Sequence, residues 1–228
     1  MTFERKLSLP FPNRSAAGRL LGEDLRALAG RSDIVVLALP RGGVPVAAEI
    51  AEVLDAPLFV FVVRKLGVPG HKELAMGAIT SGGKRLINRA VTTTLHIPED
   101  MVDRVAWEET VERMRRERLY GRGREMPELN DKIVIIVDDG IATGSTMMLA
   151  VQALREQQPG RIVVAVPVAP AEVVSQLSSV ADEVICLAEP QPFVAVGAWY
   201  EDFHELSDQE VCTILDRVLE RQPELKSA

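Results

Sequence analysis

The segment Lys132-Ile-Val-Ile-Ile-Val-Asp-Asp-Gly-Ile-Ala-Thr-Gly-Ser-Thr-Met147 predicts a buried strand that runs into a loop of small residues and then a helix. The residues from Ile133 to Val137 are all β-branched and apolar, which is typical of a strand covered on both faces in a parallel sheet. Asp138 and Asp139 follow directly. Ligands of open α/β sheets bind at the carboxyl ends of the strands, so these two acids stand where a ligand would arrive.

The loop after the acid pair has the composition of an anion-binding site. Small residues let the backbone approach an anion closely, and a helix that starts near Ser145 adds the positive end of its dipole. The candidate donors to a phosphate are Ala142, Thr143, Gly144, Ser145 and Thr146. The alternative is an ordinary turn with a Ser or Thr helix cap. Two adjacent acids beside an apolar strand favour the ligand site, because unused carboxylates are costly there.

The order of apolar strand, Asp-Asp and Thr-Gly-x-Thr over Val134 to Thr146 resembles the phosphoribosyl pyrophosphate signature of the type I phosphoribosyltransferases. No Lys follows the second glycine, so the segment is not a Walker loop. The resemblance implies that Asp138 and Asp139 hold the ribose 2′ and 3′ hydroxyls. It further implies that the following loop wraps the 5′-phosphate.

Two further turns follow predicted strands earlier in the chain. The strand from Ile34 to Leu39 stops at Pro40, Arg41, Gly42 and Gly43, where glycine amides and a guanidinium suit an oxyanion. The alternative is a plain strand-to-helix turn. In the resembled family a pyrophosphate-binding loop occupies this place.

A second strand, predicted over residues 57–63, ends directly in Arg64 and Lys65. These cations either mark the edge of the sheet or clamp a pyrophosphate. Similar Arg-Lys pairs follow the second core strand in several enzymes of the family, and this resemblance implies a catalytic role for Arg64. Residues 66–78 lack periodicity and predict a mobile flap, with His71 and Lys72 as contacts made on closure.

Aromatic residues cluster after the last predicted core strand, where they could stack a planar base or pack a terminal helix. Phe193-Val-Ala-Val-Gly197 with Trp199, Tyr200 and Asp202 is similar to the hood of purine salvage enzymes. The predicted acceptor residues are Phe193, Val194, Trp199 and Tyr200. Enzymes of the family that act on 6-oxopurines place an acid where Ala142 stands, so adenine-like or non-purine acceptors are expected.

Composition narrows the class of protein. A net charge of −7 disfavours nucleic acid and anionic lipid as partners. Two cysteines without metal-ligand spacing, no apolar signal region at the start and no long apolar run favour a soluble cytoplasmic protein with no protein metal cage. The charged helix predicted over residues 98–120, with Met101, Val105, Val111 and Met114 inward, offers either a solvated face or a homodimer contact.

The alternation of strands and helices over residues 34–187 predicts an α/β fold with a doubly wound, mostly parallel sheet. We expect a single domain over residues 1–228, with a core over about 31–188 and a hood and terminal helix over about 189–222. The predicted function is transfer of a 5-phosphoribosyl group from phosphoribosyl pyrophosphate to a nitrogen acceptor, with Mg²⁺ carried by the substrate. The resemblance implies that this acceptor is a nucleobase. The alternatives are a non-catalytic sensor of phosphoribosyl pyrophosphate or a nucleotide and, with less support, a phosphatase or kinase.

Overall fold

The computed structural model describes residues 7–221, except for the side chains of residues 72 and 73. Two predictions lie outside these residues, namely the contact of the Lys72 side chain and the absence of a signal region at the start. The strands are β1 Ile34–Ala38, β2 Leu58–Val60, β3 Val63–Val68, β4 His71–Thr80, β5 Arg85–Ile87, β6 Ile133–Val137, β7 Arg161–Val168 and β8 Glu183–Ala188. The helices are α1 Arg14–Asp24, α2 Gly43–Leu54, α3 Arg89–Thr94, α4 Glu99–Gly121, α5 Ser145–Arg155, α6 Ala171–Leu177 and α7 Asp208–Arg221.

The central sheet contains five parallel strands in the order β2-β1-β6-β7-β8. Successive side chains of β6 point to opposite faces, and both faces are buried. Ile133, Ile135 and Val137 pack with α2 and α7, whereas Val134 and Ile136 pack with α5 and α6. Helices on both faces explain why the strand is apolar without alternation, and the predicted α/β fold is confirmed.

A β-hairpin occupies the segment that was predicted to be a flap. Strand β2 ends at Val60, and the chain then forms β3 and β4, which pair antiparallel with each other and, through β4, with β5. Strand β2 is therefore shorter than the strand predicted over residues 57–63. Residues 66–78, in which no periodicity indicated regular structure, lie mostly in β3 and β4, and their mobility as a flap stays a prediction. Gly70 with φ 83° makes the hairpin turn. Leu66, Met76 and Ile79 are buried against α4, and this satellite core supplies the order that the periodicity did not indicate.

Helix α4 presents a different face to the protein than the sequence predicted. Val102, Ala106 and Tyr120 are buried, and Met101 and Val105 are partly buried. Val111 and Met114, predicted inward, are 56% and 47% exposed. Arg113 and Tyr120, which an apolar pattern does not single out, take inner positions of the helix instead.

The two ends of the described chain meet beside the carboxyl edge of the sheet. The Asn13 side chain caps α1 by accepting a hydrogen bond from the Ala16 amide at 2.9 Å. Phe11 forms an isolated bridge with Tyr200. A capping box opens α7: the Ser207 amide donates to the Glu210 carboxylate, and the Glu210 amide donates to the Ser207 hydroxyl. No described helix is long and apolar enough to cross a membrane.

Candidate active site

Two loops distant in sequence converge at the carboxyl ends of β1 and β6. The Leu39 amide donates to the Val137 carbonyl at 2.9 Å, and the Gly43 amide donates to the Leu39 carbonyl at 3.0 Å. A Cβ atom built on Gly42 would lie 2.0 Å from Oδ2 of Asp139. The predicted pyrophosphate loop therefore lies directly against the predicted ribose-binding acids, and only glycine allows this approach.

The acid pair is strongly perturbed by its surroundings. Oδ1 of Asp138 accepts a hydrogen bond from the Asp139 amide at 2.9 Å. Burial, followed by repulsion from the Asp139 carboxylate, raises the pKa of Asp138 well above its ordinary value. Burial also raises the pKa of Asp139, but the hydrogen bond and charge of Arg14 oppose this rise. The two carboxylates thus differ, and Asp139 is the one with a cationic partner.

Arg14 is the site residue that the sequence did not indicate. It lies in the first turn of α1 and is 8% exposed, and its Nε donates to Oδ2 of Asp139 at 2.7 Å. Its Nη1 donates to the His204 carbonyl at 3.0 Å. Its guanidinium also lies 3.9 Å from the centroid of the Phe203 ring. Phe203 and His204 thereby hold the guanidinium of Arg14, which in turn binds one carboxylate of the acid pair.

The predicted phosphate loop leads into α5 as expected. The Ile141 amide donates to the Val168 carbonyl at 2.9 Å, which fixes the loop to β7. Gly144 adopts φ 74° immediately before α5, and a hydrogen bond of 2.9 Å joins the hydroxyls of Thr143 and Ser145. Ala142 and Thr143 are exposed, whereas the other three predicted residues lie at the start of the helix. The helix dipole and the free amides of its first turn face this loop.

The three predicted pyrophosphate cations are arranged differently from the sequence prediction. Arg41, which follows a cis peptide after Pro40, forms an ion pair with the exposed Glu205. Arg64 and Lys65 lie inside β3 and do not stand at the end of a central strand. Nε of Arg64 donates to Glu109 of α4 at 2.7 Å. The structure therefore brings the Arg41 loop to the acid pair, while Arg64 is held by α4.

The aromatic residues predicted to bind the acceptor differ in how far they are buried. Tyr200 is buried between Phe11 and Phe203, with ring centroids at 5.6 and 5.1 Å. Its hydroxyl donates to the Asp139 carbonyl at 2.5 Å. Its predicted role in stacking a base is wrong for this arrangement, because protein rings cover it. Phe193 and Trp199 are partly buried, and Val194 is 80% exposed.

Val196 completes the contact between the hood and the phosphate loop. A Cβ atom on Gly140 would lie 2.5 Å from Cγ1 of Val196. The segment that carries Phe193 and Trp199 is therefore placed beside the loop that follows the acid pair. The predicted acceptor and phosphate regions are neighbours in the fold.

On this α/β sheet the acid pair, the Gly42 loop and the loop that leads into α5 lie together at the carboxyl ends of the strands. The sequence profile of the phosphoribosyl transferase domain family matches residues 12–201, and the chain belongs to this family. A protein of Mycobacterium tuberculosis strain H37Rv, provisionally named as a phosphoribosyl transferase, is 47% identical over 207 residues. The match covers 91% of this chain and 46% of the mycobacterial protein, so the chain spans about half the length of that curated relative.

Solved structures are also similar to this chain. The structure of TT1426 from Thermus thermophilus has 41% identity and a TM-score of 0.80, covering 90% of this chain and 97% of its own. The structure of a purine phosphoribosyltransferase from Pyrococcus horikoshii Ot3 has 20% identity and a TM-score of 0.42, covering 80% and 92%. The second similarity is too distant to bear on the substrate.

Proposed function

We propose that this protein is an enzyme that transfers a 5-phosphoribosyl group from phosphoribosyl pyrophosphate to a nitrogen acceptor and releases pyrophosphate. The observation that carries the proposal is the approach of Gly42 to the Asp139 carboxylate. It brings a loop suited to pyrophosphate directly against acids suited to ribose hydroxyls, two groups that phosphoribosyl pyrophosphate carries on adjacent parts of one molecule. The phosphate loop beside α5 supplies the third part of the same donor site.

The acid pair and the cations would have separate roles in the reaction. Asp138 and Asp139 would accept hydrogen bonds from the ribose hydroxyls, and their charge would stabilise the positive charge that builds on the ribose ring during displacement. Arg41, with Arg64 and Lys65, would stabilise the charge of the leaving pyrophosphate. For Arg41 and Arg64 this requires exchange of Glu205 and Glu109 for phosphate oxygens.

Magnesium fits this site as a companion of the substrate. The described residues contain no cluster of three His, Cys, Asp or Glu side chains able to hold a metal ion. Mg²⁺ commonly binds through substrate phosphates with one or two carboxylates, and Asp138 and Asp139 are the carboxylates at the site. When bound, the ion would neutralise pyrophosphate charge.

The proposed acceptor is a planar nitrogen heterocycle beside Phe193, Val194 and Trp199. These residues keep accessible surface in the hood, whereas Tyr200 does not. A base stacked on one aromatic side chain gains roughly 1 to 3 kcal/mol. Ala142 offers no acidic group to a ring nitrogen, which supports an acceptor other than hypoxanthine or guanine.

A sensor of phosphoribosyl pyrophosphate is the second candidate. Two contacts within the protein favour a sensor. The Tyr200 ring is covered and its hydroxyl binds the Asp139 carbonyl, and the Asp139 carboxylate already has Arg14 as a partner, so these groups are engaged by the protein itself. A sensor would bind the donor through the same loops and release no pyrophosphate.

Calorimetric titration with phosphoribosyl pyrophosphate and Mg²⁺, followed by a nucleobase panel scored for pyrophosphate release, tests both candidates. The double variant Asp138→Asn with Asp139→Asn should lose donor binding. Asp55→Asn is the matched control, because Asp55 caps α2 in a left-handed conformation that Asn also adopts. Donor binding that is unaffected by the double variant would contradict the proposal, and donor binding without pyrophosphate release on any base would favour the sensor.

A further inference from the structure

A cavity lies along the outer edge of β2, apart from the candidate active site. Strand β2 stands at one end of the central sheet, so this edge pairs with no described strand. The end of α4, residues 122–126 and α7 enclose a space of about 370 Å³ beside it. Cavities of about 300 to 1,000 Å³ hold small molecules in proteins. Neither the acid pair nor the loops of the candidate active site line this space.

Part of the cavity wall is apolar. Val60 of β2, Met126 and Leu219 of α7 line the cavity and are only half-buried, so their apolar surface is open to a ligand. A ligand that covers these side chains removes apolar surface from water, which favours binding. The cavity therefore suits a molecule with an apolar body.

Arg124 adds a fixed positive charge to the cavity wall. Its Nη2 donates to the Leu58 carbonyl at 2.9 Å, and its guanidinium carbon lies 4.0 Å from the centroid of the Phe59 ring. These two contacts hold the guanidinium beside β2. Burial lowers the pKa of Arg124, and no carboxylate opposes this change. Its Nε and Nη1 form no hydrogen bond with a described residue and remain in reach of solvent.

Two other charged residues of the cavity wall already have partners. Arg122 donates two hydrogen bonds to the carboxylate of Asp216 in α7, at 2.7 and 2.6 Å. Glu117 forms an ion pair with Arg113, one turn earlier in α4. Arg124 is thus the half-buried cation of the cavity that has no counter-charge among the described residues.

We propose that this cavity binds a small organic monocarboxylate with an apolar body. The carboxylate accepts hydrogen bonds from Arg124, whose planar group suits two parallel bonds to one carboxylate. The body covers Val60, Met126 and Leu219. One uncompensated cation balances one negative charge, and the exposed carboxylate of Glu125 at the same cavity repels a second. A monocarboxylate is therefore favoured over phosphates, including phosphoribosyl pyrophosphate.

Calorimetric titration of the full chain with octanoate tests this inference. We expect binding with a dissociation constant below about 1 mM. Octanamide has the same body without the charge and should bind about tenfold more weakly or worse, because a neutral oxygen replaces an ionised one. Acetate has the charge without the body and should not bind detectably. Absence of octanoate binding, or an equal affinity for either of the other two compounds, would overturn the proposal.

Arginine variants test the role of Arg124. Arg124→Met removes the charge and keeps an apolar stem, so it should weaken octanoate binding about tenfold or more and octanamide binding less. Arg104→Met is the matched control, because Arg104 is exposed on α4 and does not line the cavity. Thermal melting confirms that each variant is folded. Equal octanoate affinity of the two variants would refute the assignment of the carboxylate to Arg124.

Two further variants test the apolar wall and the separation from the active site. Leu219→Glu places a negative charge on the half-buried wall and should weaken octanoate binding even if Arg124→Met does not fold. The double variant Asp138→Asn with Asp139→Asn should bind octanoate like the wild type, because neither residue lines the cavity. This expectation holds whether or not the protein binds phosphoribosyl pyrophosphate. Unchanged octanoate affinity in Leu219→Glu, or its loss in the double variant, would place the ligand elsewhere and refute the site.

Discussion

The replacement Gly42→Ala isolates the contact between the pyrophosphate loop and the acid pair. Gly42 has φ −60° and ψ −35°, a conformation that alanine adopts without strain. The added methyl group would lie 2.0 Å from Oδ2 and 2.4 Å from Cγ of Asp139. Any effect of the replacement is therefore steric, and it acts on one carboxylate.

The size of the effect follows from how far Asp139 must move. Real Cβ contacts are essentially never shorter than 3.0 Å, and the added Cβ would lie 2.0 Å from Oδ2 of Asp139. The carboxylate must therefore move away from Gly42 until this distance reaches at least 3.0 Å. Oδ2 is also the atom that accepts the 2.7 Å hydrogen bond of Arg14. Overpacking of this kind costs about 1 to 3 kcal/mol. The loss of a ribose hydrogen bond to a charged group costs about 1.5 to 3 kcal/mol in donor binding, or roughly 10- to 150-fold in affinity.

Chemical denaturation and calorimetric titration with phosphoribosyl pyrophosphate and Mg²⁺ measure the two effects separately. Gly121→Ala is the matched control, because a Cβ at Gly121 meets nothing within 4 Å and its φ is not positive. Helix propensity predicts that this control is as stable as the wild type or more so. If Gly42→Ala binds the donor as tightly as Gly121→Ala, the Gly42 loop and Asp139 do not share a ligand.

The acid pair and the hood give three further predictions. The raised pKa of Asp138 means that the stability contributed by its proton is complete below its ordinary pKa of 3.8 and declines as pH rises through the folded value. Asp138→Asn carries no charge at any pH and should therefore raise the free energy of unfolding at neutral pH, measured in urea. Arg14→Met removes the charge that lowers the pKa of Asp139, so the pH midpoint of donor binding should move upward, and an unchanged midpoint would exclude a role in donor binding. Phe193→Ala should raise the apparent KM for the acceptor and leave the affinity for the donor unchanged. Tyr200→Phe loses the hydrogen bond to the Asp139 carbonyl and should lower the affinity for the donor more than it raises the KM for the acceptor. The reverse pattern would assign Tyr200 to the acceptor and Phe193 to the donor.

The sequence predicts the strands of the central sheet well where a continuous apolar run identifies them. β6 is buried on both faces, so its apolar run is continuous, and its ends are marked by Lys132 and by Asp138. The hairpin was not predictable in the same way. Gly67 sits at a register shift between β3 and β4, and such irregular pairing breaks the alternation that indicates a strand.

The site was predictable only for residues that lie beside the ligand loops in sequence. Arg14 is separated from Asp139 by 125 residues. The buried apolar residues Ala17 and Leu21 explain the packing of α1 without any role in a site. A buried arginine needs a carboxylate partner, but the position of Arg14 in the first turn of α1 resembles that of a surface residue. The tertiary fold alone brings it to the acid pair.

The Arg14 contact also explains how two adjacent carboxylates can remain beside an apolar core. Two buried carboxylates without a cationic partner would repel each other, and one of them would be protonated at neutral pH. Arg14 offsets the charge of Asp139 and is itself held by Phe203 and the His204 carbonyl. The segment from Tyr200 to His204 therefore acts on the acids in two places, through the Tyr200 hydroxyl and through Arg14. This segment directly follows the proposed acceptor residues. A movement of the hood when the acceptor binds would therefore reach the donor site through Asp139.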